Sequence, residues 1–316
     1  MSKAFASQSD LTEKVTTFTE LAEGVYSYTA EGDPNAGVII ADDSVMVIDP
    51  LATPVQAQKL IQEIRKVTDK PIKHLVLSHY HAVRVLGASA YQADNIIASQ
   101  ATFDLIQERG EQDFKSELQR FPRLFDQVET VPGLTWPTLV FDKKITLHLG
   151  RHQINIIQIG RGHTQGDTIV HLINDNIIFS GDLVEMGATP YCGDAYIQEW
   201  PQTLDKIKEL KPKQLIPGRG DALTTTESSL KAIASTKSFL IDLTTHVQYA
   251  VSQKYSLKET YDYAYPKLQE KYGHWVIFDH CIPFNMSRAY DELSGIIHPT
   301  IWTEERDIQM WQDLQG

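Results

Sequence analysis

The stretch Leu77-Ser78-His79-Tyr80-His81-Ala82-Val83-Arg84-Val85-Leu86-Gly87 decides the fold of this chain. It follows residues 72–77, a short apolar run that reads as a buried strand, and it leads into a helical pattern. His79 and His81 stand one residue apart at the strand's C-terminal end. Their side chains therefore point the same way and can share one metal. Upstream, residues 24–29, 36–41 and 44–48 are rich in Val, Ile and Tyr and are separated by Gly, Asp, Asn and Pro, as in a β-meander. Residues 53–67 carry Ala57, Leu60, Ile61 and Ile64 at helical spacing, and Pro71 starts the strand that delivers the histidines. The order is that of a layered α/β unit.

Downstream, 95–99 reads as a strand. Residues 102–125 are charged, with Phe103, Leu105, Ile106, Phe114, Leu118, Phe121 and Leu124 at helical spacing. The turn-rich stretch 131–138 carries an exposed-looking Trp136. So long a segment between metal motifs serves either as a flap facing substrate or as a helix packed on the domain. Strand signals return at 144–149 and 154–159, ahead of Gly160-Arg161-Gly162-His163-Thr164-Gln165-Gly166-Asp167-Thr168. A hairpin at 169–172 and 176–179 runs into Ser180-Gly181-Asp182. A helix at 200–210 and a strand at 214–216 precede the tight loop Pro217-Gly218-Arg219-Gly220.

From residue 224 the strand signals stop. Helical patterns occupy 227–251, 257–272 and 285–295, with 273–281 as an aromatic-rich loop. In the tail, Trp302, Ile308, Trp311 and Leu314 are spaced for one helix face, which can dock on its own domain or on a second copy in a homodimer.

Five stations carry a resemblance. They are Asp49 in Val-Ile-Asp-Pro, His79 with His81, His163 in Gly-His-Thr-Gln-Gly-Asp, Asp182 in Phe-Ser-Gly-Asp, and Arg219 in Pro-Gly-Arg-Gly. In this order they resemble the metallo-β-lactamase superfamily, with its glyoxalase II-like metallohydrolases, over residues 20 to 222. The chain resembles an atypical member, with HxHxVR where the family has HxHxDH. The resemblance implies an α/β fold, the four-layer αββα sandwich, for residues 1–222, followed by a helical C-terminal extension over 223–316. It implies His79, His81 and His163 as ligands of one metal, zinc by default for this set, with water or Asp182 in the fourth position.

The family's second metal site calls for an aspartate at Val83, histidines at Arg84 and Arg219, and Asp182. Only Asp182 is kept. A guanidinium has no lone pair to offer and does not deprotonate in proteins. A divalent ion about 4 Å from one arginine is repelled by roughly 8 kcal/mol at an effective dielectric near 20. One zinc per chain is therefore expected. Arg84 and Arg219 then either fill the vacated site and pair with Asp182 and Asp49, or face the pocket and hold a substrate carboxylate or oxyanion. The two roles can coexist.

The reaction implied is hydrolysis of a small ester, thioester, lactone or amide by zinc-activated water, with Asp182 as the remaining candidate for general base. The alternative is a non-hydrolytic, ligand-binding member of the same fold, which Val83 favours. Tyr191 is a candidate substrate contact, as is His280 in the aromatic loop; His171 and His148 read as structural.

Composition narrows the partners. A net charge of -12 argues against a phosphate-backbone partner. No apolar run is long enough to span a bilayer, and MSKAFASQSD lacks the apolar core of a secretory signal. Cys192 and Cys281 are the only cysteines, which suits free thiols in a cytoplasmic chain acting on a small molecule.

Overall fold

The computed structural model describes residues 6–315. Seven strands lie side by side in chain order: β1 (Thr16–Ala22), β2 (Val25–Ala30), β3 (Ala36–Ile40), β4 (Val45–Ile48), β5 (Ile72–Val76), β6 (Asn95–Ser99) and β7 (Leu139–Phe141). The first four pair antiparallel, and β4 to β7 run parallel. The second sheet holds β8 (Lys144–Leu149), β9 (His152–Gln158), β10 (Thr168–Leu172), β11 (Ile177–Phe179) and β12 (Gln214–Ile216). Its pairs are antiparallel except β11 with β12.

Period-two alternation builds the layers. Along β4, Met46 and Ile48 face Ile154, Ile156, Val170 and Phe179 of the second sheet, while Val45 and Val47 face outward. There they meet Ala57, Leu60 and Ile64 of α1 (Pro54–Val67), whose N-terminus is capped by the Thr53 hydroxyl. A strand buried on both faces has to be apolar throughout, as Val-Met-Val-Ile is. On the far side, Ile178 and Leu215 pack against Trp200, Leu204 and Ile207 of α4 (Trp200–Glu209). Two sheets between helices make the expected αββα sandwich.

The remaining helices are α2 (Ala82–Val85), α3 (Gln100–Arg120), α5 (Thr226–Ser252), α6 (Leu257–Tyr272), α7 (Phe278–Leu293) and α8 (Glu304–Gln315), with α4 falling between α3 and α5 in chain order. The apolar faces of α5 to α8, including Phe239, Leu243, Leu268, Phe284 and Leu314, join the core beneath the second sheet, while Val83, Val85, Leu105 and Ile106 of α2 and α3 pack in a separate cluster with Leu77 and Tyr80.

Several expectations need correction. Strands β1 and β7 were not anticipated, and the helix after the histidines is a single α-turn continued as a 3-10 segment. Helix α7 begins at Phe278, not at 285, so His280 sits on a helix instead of in a loop. Pro283 reads as a helix breaker but occupies the helix interior. In the tail, Met310 and Leu314 face inward with Trp302, whereas Ile308 is exposed. That inward face is used within the chain: the buried Asp307 accepts the Ser116 hydroxyl of α3 at 2.6 Å.

Candidate metal centre

Every residue singled out from the motifs follows the C-terminal end of a strand. Asp49 follows β4, His79 and His81 follow β5, His163 follows β9, Asp182 follows β11 and Arg219 follows β12. Strands β4 and β5 are parallel, and so are β9, β11 and β12 through their shared pairings. The loops therefore gather at one edge of the sandwich, where open α/β sheets place their ligands.

The three histidines come together, fully buried, with one ligating atom from each lying within 4.8 Å of the others. His163 Nε2 and His81 Nδ1 are 3.0 Å apart. Two ligands of a tetrahedral zinc stand about 3.3 Å apart given bonds near 2.0 Å. The outward nitrogens are already occupied. Ser78 Oγ donates to Asp49 at 2.8 Å, so His79 Nδ1, 2.9 Å from that oxygen, is the donor to it. His163 Nδ1 donates to the Tyr191 carbonyl at 2.8 Å, and His81 Nε2 lies 3.2 Å from Asp194 Oδ2. These contacts leave His79 Nε2, His81 Nδ1 and His163 Nε2 as the three nitrogens turned inward, the set a shared cation needs once any proton between them is displaced. His79 Nε2 is buried without any hydrogen-bond partner. An orphaned buried nitrogen beside two convergent ones fits a bound metal.

Electrostatics agrees. Burial holds His79 well below the ordinary imidazole range and brings His163 down to about 3, against the opposing pull of Asp182. Burial also lowers His81, but Asp113, Asp194 and Glu117 outweigh it and raise the group to about 9, so this corner of the site favours a positive charge.

Asp182 binds the triad to the arginines. Its Oδ2 lies 3.8 Å from His79 Nε2 and 3.6 Å from His163 Nε2. Arg219 Nη1 donates to the same oxygen at 3.0 Å and to Glu185 Oε1 at 3.1 Å. Arg84 Nη2 donates to Asp182 Oδ1 and, at 2.7 Å, to the Gly218 carbonyl. Arg84 Nη1 donates to the Asn35 carbonyl at 2.8 Å and approaches Asp49 at 3.5 Å. Position 218 has to be glycine, because a Cβ there would stand 2.2 Å from Asp182 Oδ1. Burial works to raise Asp182, yet Arg84, Arg219 and the two histidines hold it well below the carboxylate range. With both oxygens on guanidinium groups, Asp182 is held as an ionised anchor between Arg84 and Arg219. Asp49 accepts the Ser78 N–H and hydroxyl at 2.8 Å each, a structural role, and burial lifts it to about 6 against Arg84.

Helix α3 supplies groups that motif reasoning missed. The free N–H groups of α2 have no cap from their own loop. Ala82 N donates to Asp113 at 2.7 Å and Val83 N to Glu117 at 2.8 Å, so two carboxylates one turn apart on α3 close the start of the next helix. Asp194, which orients His81, is itself held by Arg109 Nη1 at 3.0 Å. Glu185 was also missed; burial and the nearby Asp182 raise it to about 8, with Arg219 opposing. The only hint in the sequence was an acidic, long helix between the two histidine motifs.

Above the triad is a chamber of about 10 Å³, lined by His81, His163, Asp182, Arg219, Tyr191 and His280, among others. Val83, Glu117, Arg120 and Cys281 complete much of its wall. A space this small holds about one water. Phe121, Ile277 and Arg219 line both this chamber and a second cavity that opens toward Lys14, Asp33 and Arg123, so these three side chains stand between them as a partition. Ile277 has φ 56°, a left-handed conformation that strains a β-branched residue. Arg123 grips Asp33 with two bonds, at 2.8 and 2.5 Å, beside that partition. Both cysteines are free and buried. No helix among the described residues is long and apolar enough to cross a membrane.

Comparison with known proteins gives a family match, described as the metallo-beta-lactamase superfamily, over residues 29–219. A metallo-beta-lactamase type 2 from Bacteroides fragilis is 24% identical over 220 residues, covering 65% of this chain and 79% of that protein. A linear primary-alkylsulfatase from Pseudomonas sp. (strain ATCC 19151) is 31% identical over 62 residues, 20% of this chain and 12% of the relative. Among solved structures, a metallo-beta-lactamase from Pontibacter korlensis superposes with TM-score 0.56 at 19% identity, covering 70% of this chain and 99% of its own. A stereoselective inverting sec-alkylsulfatase from Pseudomonas sp. superposes with TM-score 0.70 at 14% identity, over 88% of this chain and 50% of its own. The wider superposition takes in part of the C-terminal helices, because residues 1–222 alone do not supply that share.

Proposed function

Since this chain belongs to the metallo-β-lactamase superfamily, we propose that it is a mononuclear zinc hydrolase of a small ester, thioester, lactone or amide. One observation supports this above all: three imidazole nitrogens turn inward while each outward nitrogen is tied down, and one inward nitrogen is left buried with no partner. A single zinc bound there supplies Lewis acidity and lowers the pKa of water to about 7. The chain's own residues do the rest. Ser78, Asp194 and the Tyr191 carbonyl orient the three rings. Arg84 and Arg219 occupy the ground of a second metal and keep Asp182 charged. The partition of Phe121 and Ile277 keeps bulk water from the chamber until a substrate displaces it.

A non-hydrolytic, ligand-binding role is the second reading. It rests on the apolar Val83 in the chamber wall, at the position where relatives carry the water-orienting aspartate. Turnover separates the two. The zinc-loaded protein is assayed against ester, thioester, lactone and β-lactam substrates, and against alkyl sulfate esters because of the sulfatase relatives. Hydrolysis that disappears in His163→Ala supports the proposal. No turnover on any class, or full turnover after metal removal, contradicts it.

A further inference from the structure

The wall of the chamber facing the triad contains groups that metal chemistry does not use. His280, on the first turn of α7, is 1% exposed, and neither of its ring nitrogens has a hydrogen-bond partner. Its ring packs on Phe121 with centroids 4.0 Å apart and on Phe284 at 5.7 Å, so the imidazole is clamped edge-outward between aromatic faces. Arg120 and Arg219 line the same chamber, and both act electrostatically on His280. Arg120 is itself buried, its guanidinium 4.5 Å from the Phe284 centroid and 5.2 Å from that of Tyr191. Its ion pair is made through Nε, 3.7 Å from Asp307 on the tail helix. Arg219 is engaged through Nη1.

We propose that Arg120, His280 and Arg219 form a subsite for a small organic oxyanion, a carboxylate or a sulfate-type group, carried by the molecule that meets the triad. This deepens the proposed function by naming the substrate class, and rests on that reading only for the link to turnover. Two cationic forks and a buried, unpartnered imidazole share this chamber, whose carboxylates are already engaged, Glu117 by the Val83 N–H and Asp182 by Arg84 and Arg219. Such a lining suits an acceptor with a negative charge better than an apolar group. Burial and the two arginines hold the His280 ring neutral, so one of its nitrogens donates without adding a third buried charge. Sequence reasoning offered Arg84 or Arg219 for a substrate's acidic group. Arg84 is consumed by Asp182, Asn35, Gly218 and Asp49, and Arg120 was not anticipated. Helix α7 brings His280 from outside the stretch matched to the family, residues 29–219, so the added helices supply one of the three subsite residues and Arg120 and Arg219 come from within that stretch. As the chamber holds only about one water when closed, the anion arrives with displacement of Phe121 and Ile277.

Calorimetry on the zinc-loaded protein tests this with benzoate and benzenesulfonate against their uncharged counterparts, benzamide and methyl phenyl sulfone. The same titrations are repeated on metal-free protein, in wild type, in His280→Phe and in Arg120→Met. His280→Phe keeps the ring packing and removes both nitrogens. It should bind one zinc, melt no lower than wild type, and lose anion affinity at least tenfold. In wild type at least one anion should bind tenfold or more tighter than its neutral counterpart, with or without zinc; the better of the two identifies a planar or a tetrahedral group. Equal binding of the neutral compounds overturns the subsite, as does anion affinity that survives in His280→Phe or vanishes on zinc removal. Anion binding without any turnover would discard the hydrolase reading and keep the subsite. Arg120→Met should match the His280→Phe loss, and if it fails to fold the His280 variant still decides.

Discussion

Arg219 Nη1 donates to Asp182 Oδ2 at 3.0 Å, and that oxygen also stands 3.6 Å from His163 Nε2. One carboxylate thus faces the histidine triad on one side and the Arg219 guanidinium on the other. With Arg84 on the second oxygen, both oxygens of the buried carboxylate face a guanidinium group. The pairing keeps a buried carboxylate charged.

Removing one member of the fork should be costly. Arg84→Met leaves Asp182 with one partner and Asp49 with none of its guanidinium contact, and breaking a buried ion pair costs about 3–5 kcal/mol. Urea unfolding of the variant should show a loss of that order. A change below about 1 kcal/mol would show that the fork carries little of the stability.

Acid stability follows from the same carboxylate. Asp182 is held below its unfolded value, so its contribution is fully present above the unfolded carboxyl pKa of about 3.9 and is lost as pH falls through the folded value. Wild type should lose stability steeply below about pH 4, and Asp182→Asn should lose less over that window while starting less stable at neutral pH. Urea midpoints measured across the acid range check this. Parallel curves for the two proteins would remove Asp182 from the explanation.

Much of this was legible in the sequence, for reasons the structure makes plain. Strand-end motifs write their metal residues in a fixed order, and the continuous apolar run Val45–Ile48 reports a strand buried on both faces. His79, His81, His163, Asp182 and the two arginines were therefore readable as one site. Glu117, Arg120 and Asp194 were not. They carry no motif, and their roles depend on a helix crossing the loop from another part of the chain. Helix α7 was set too late because Pro283 is a strong local stop signal that tertiary packing overrides. Strand β7 is three residues long and is fixed by pairing with β6, which no local pattern announces.

The partition over the chamber should control access. Ile277→Gly relieves a strained left-handed residue and shortens the plug it makes with Phe121. Zinc should be withdrawn by a chelator several-fold faster from this variant than from wild type, with stoichiometry unchanged at saturation. Identical withdrawal rates would mean that the metal exchanges by another route.

Reversing the replacement should restore the second site. The triple substitution Val83→Asp, Arg84→His and Arg219→His supplies the ligands that the family pattern requires and frees Asp182 from both guanidinium groups. Titration with zinc should then saturate above one ion per chain, approaching two. Saturation at one in a folded triple variant would place the loss of the second site somewhere other than these three positions.

Metal content of the wild-type protein, purified without added metal and measured by elemental analysis against protein concentration, tests the replacement most directly. Close to one zinc per chain, falling toward zero in His163→Ala, is the result expected from a histidine triad beside an arginine fork. Two metals per chain would contradict it, because the second ion would have to share its ground with Arg84 and Arg219.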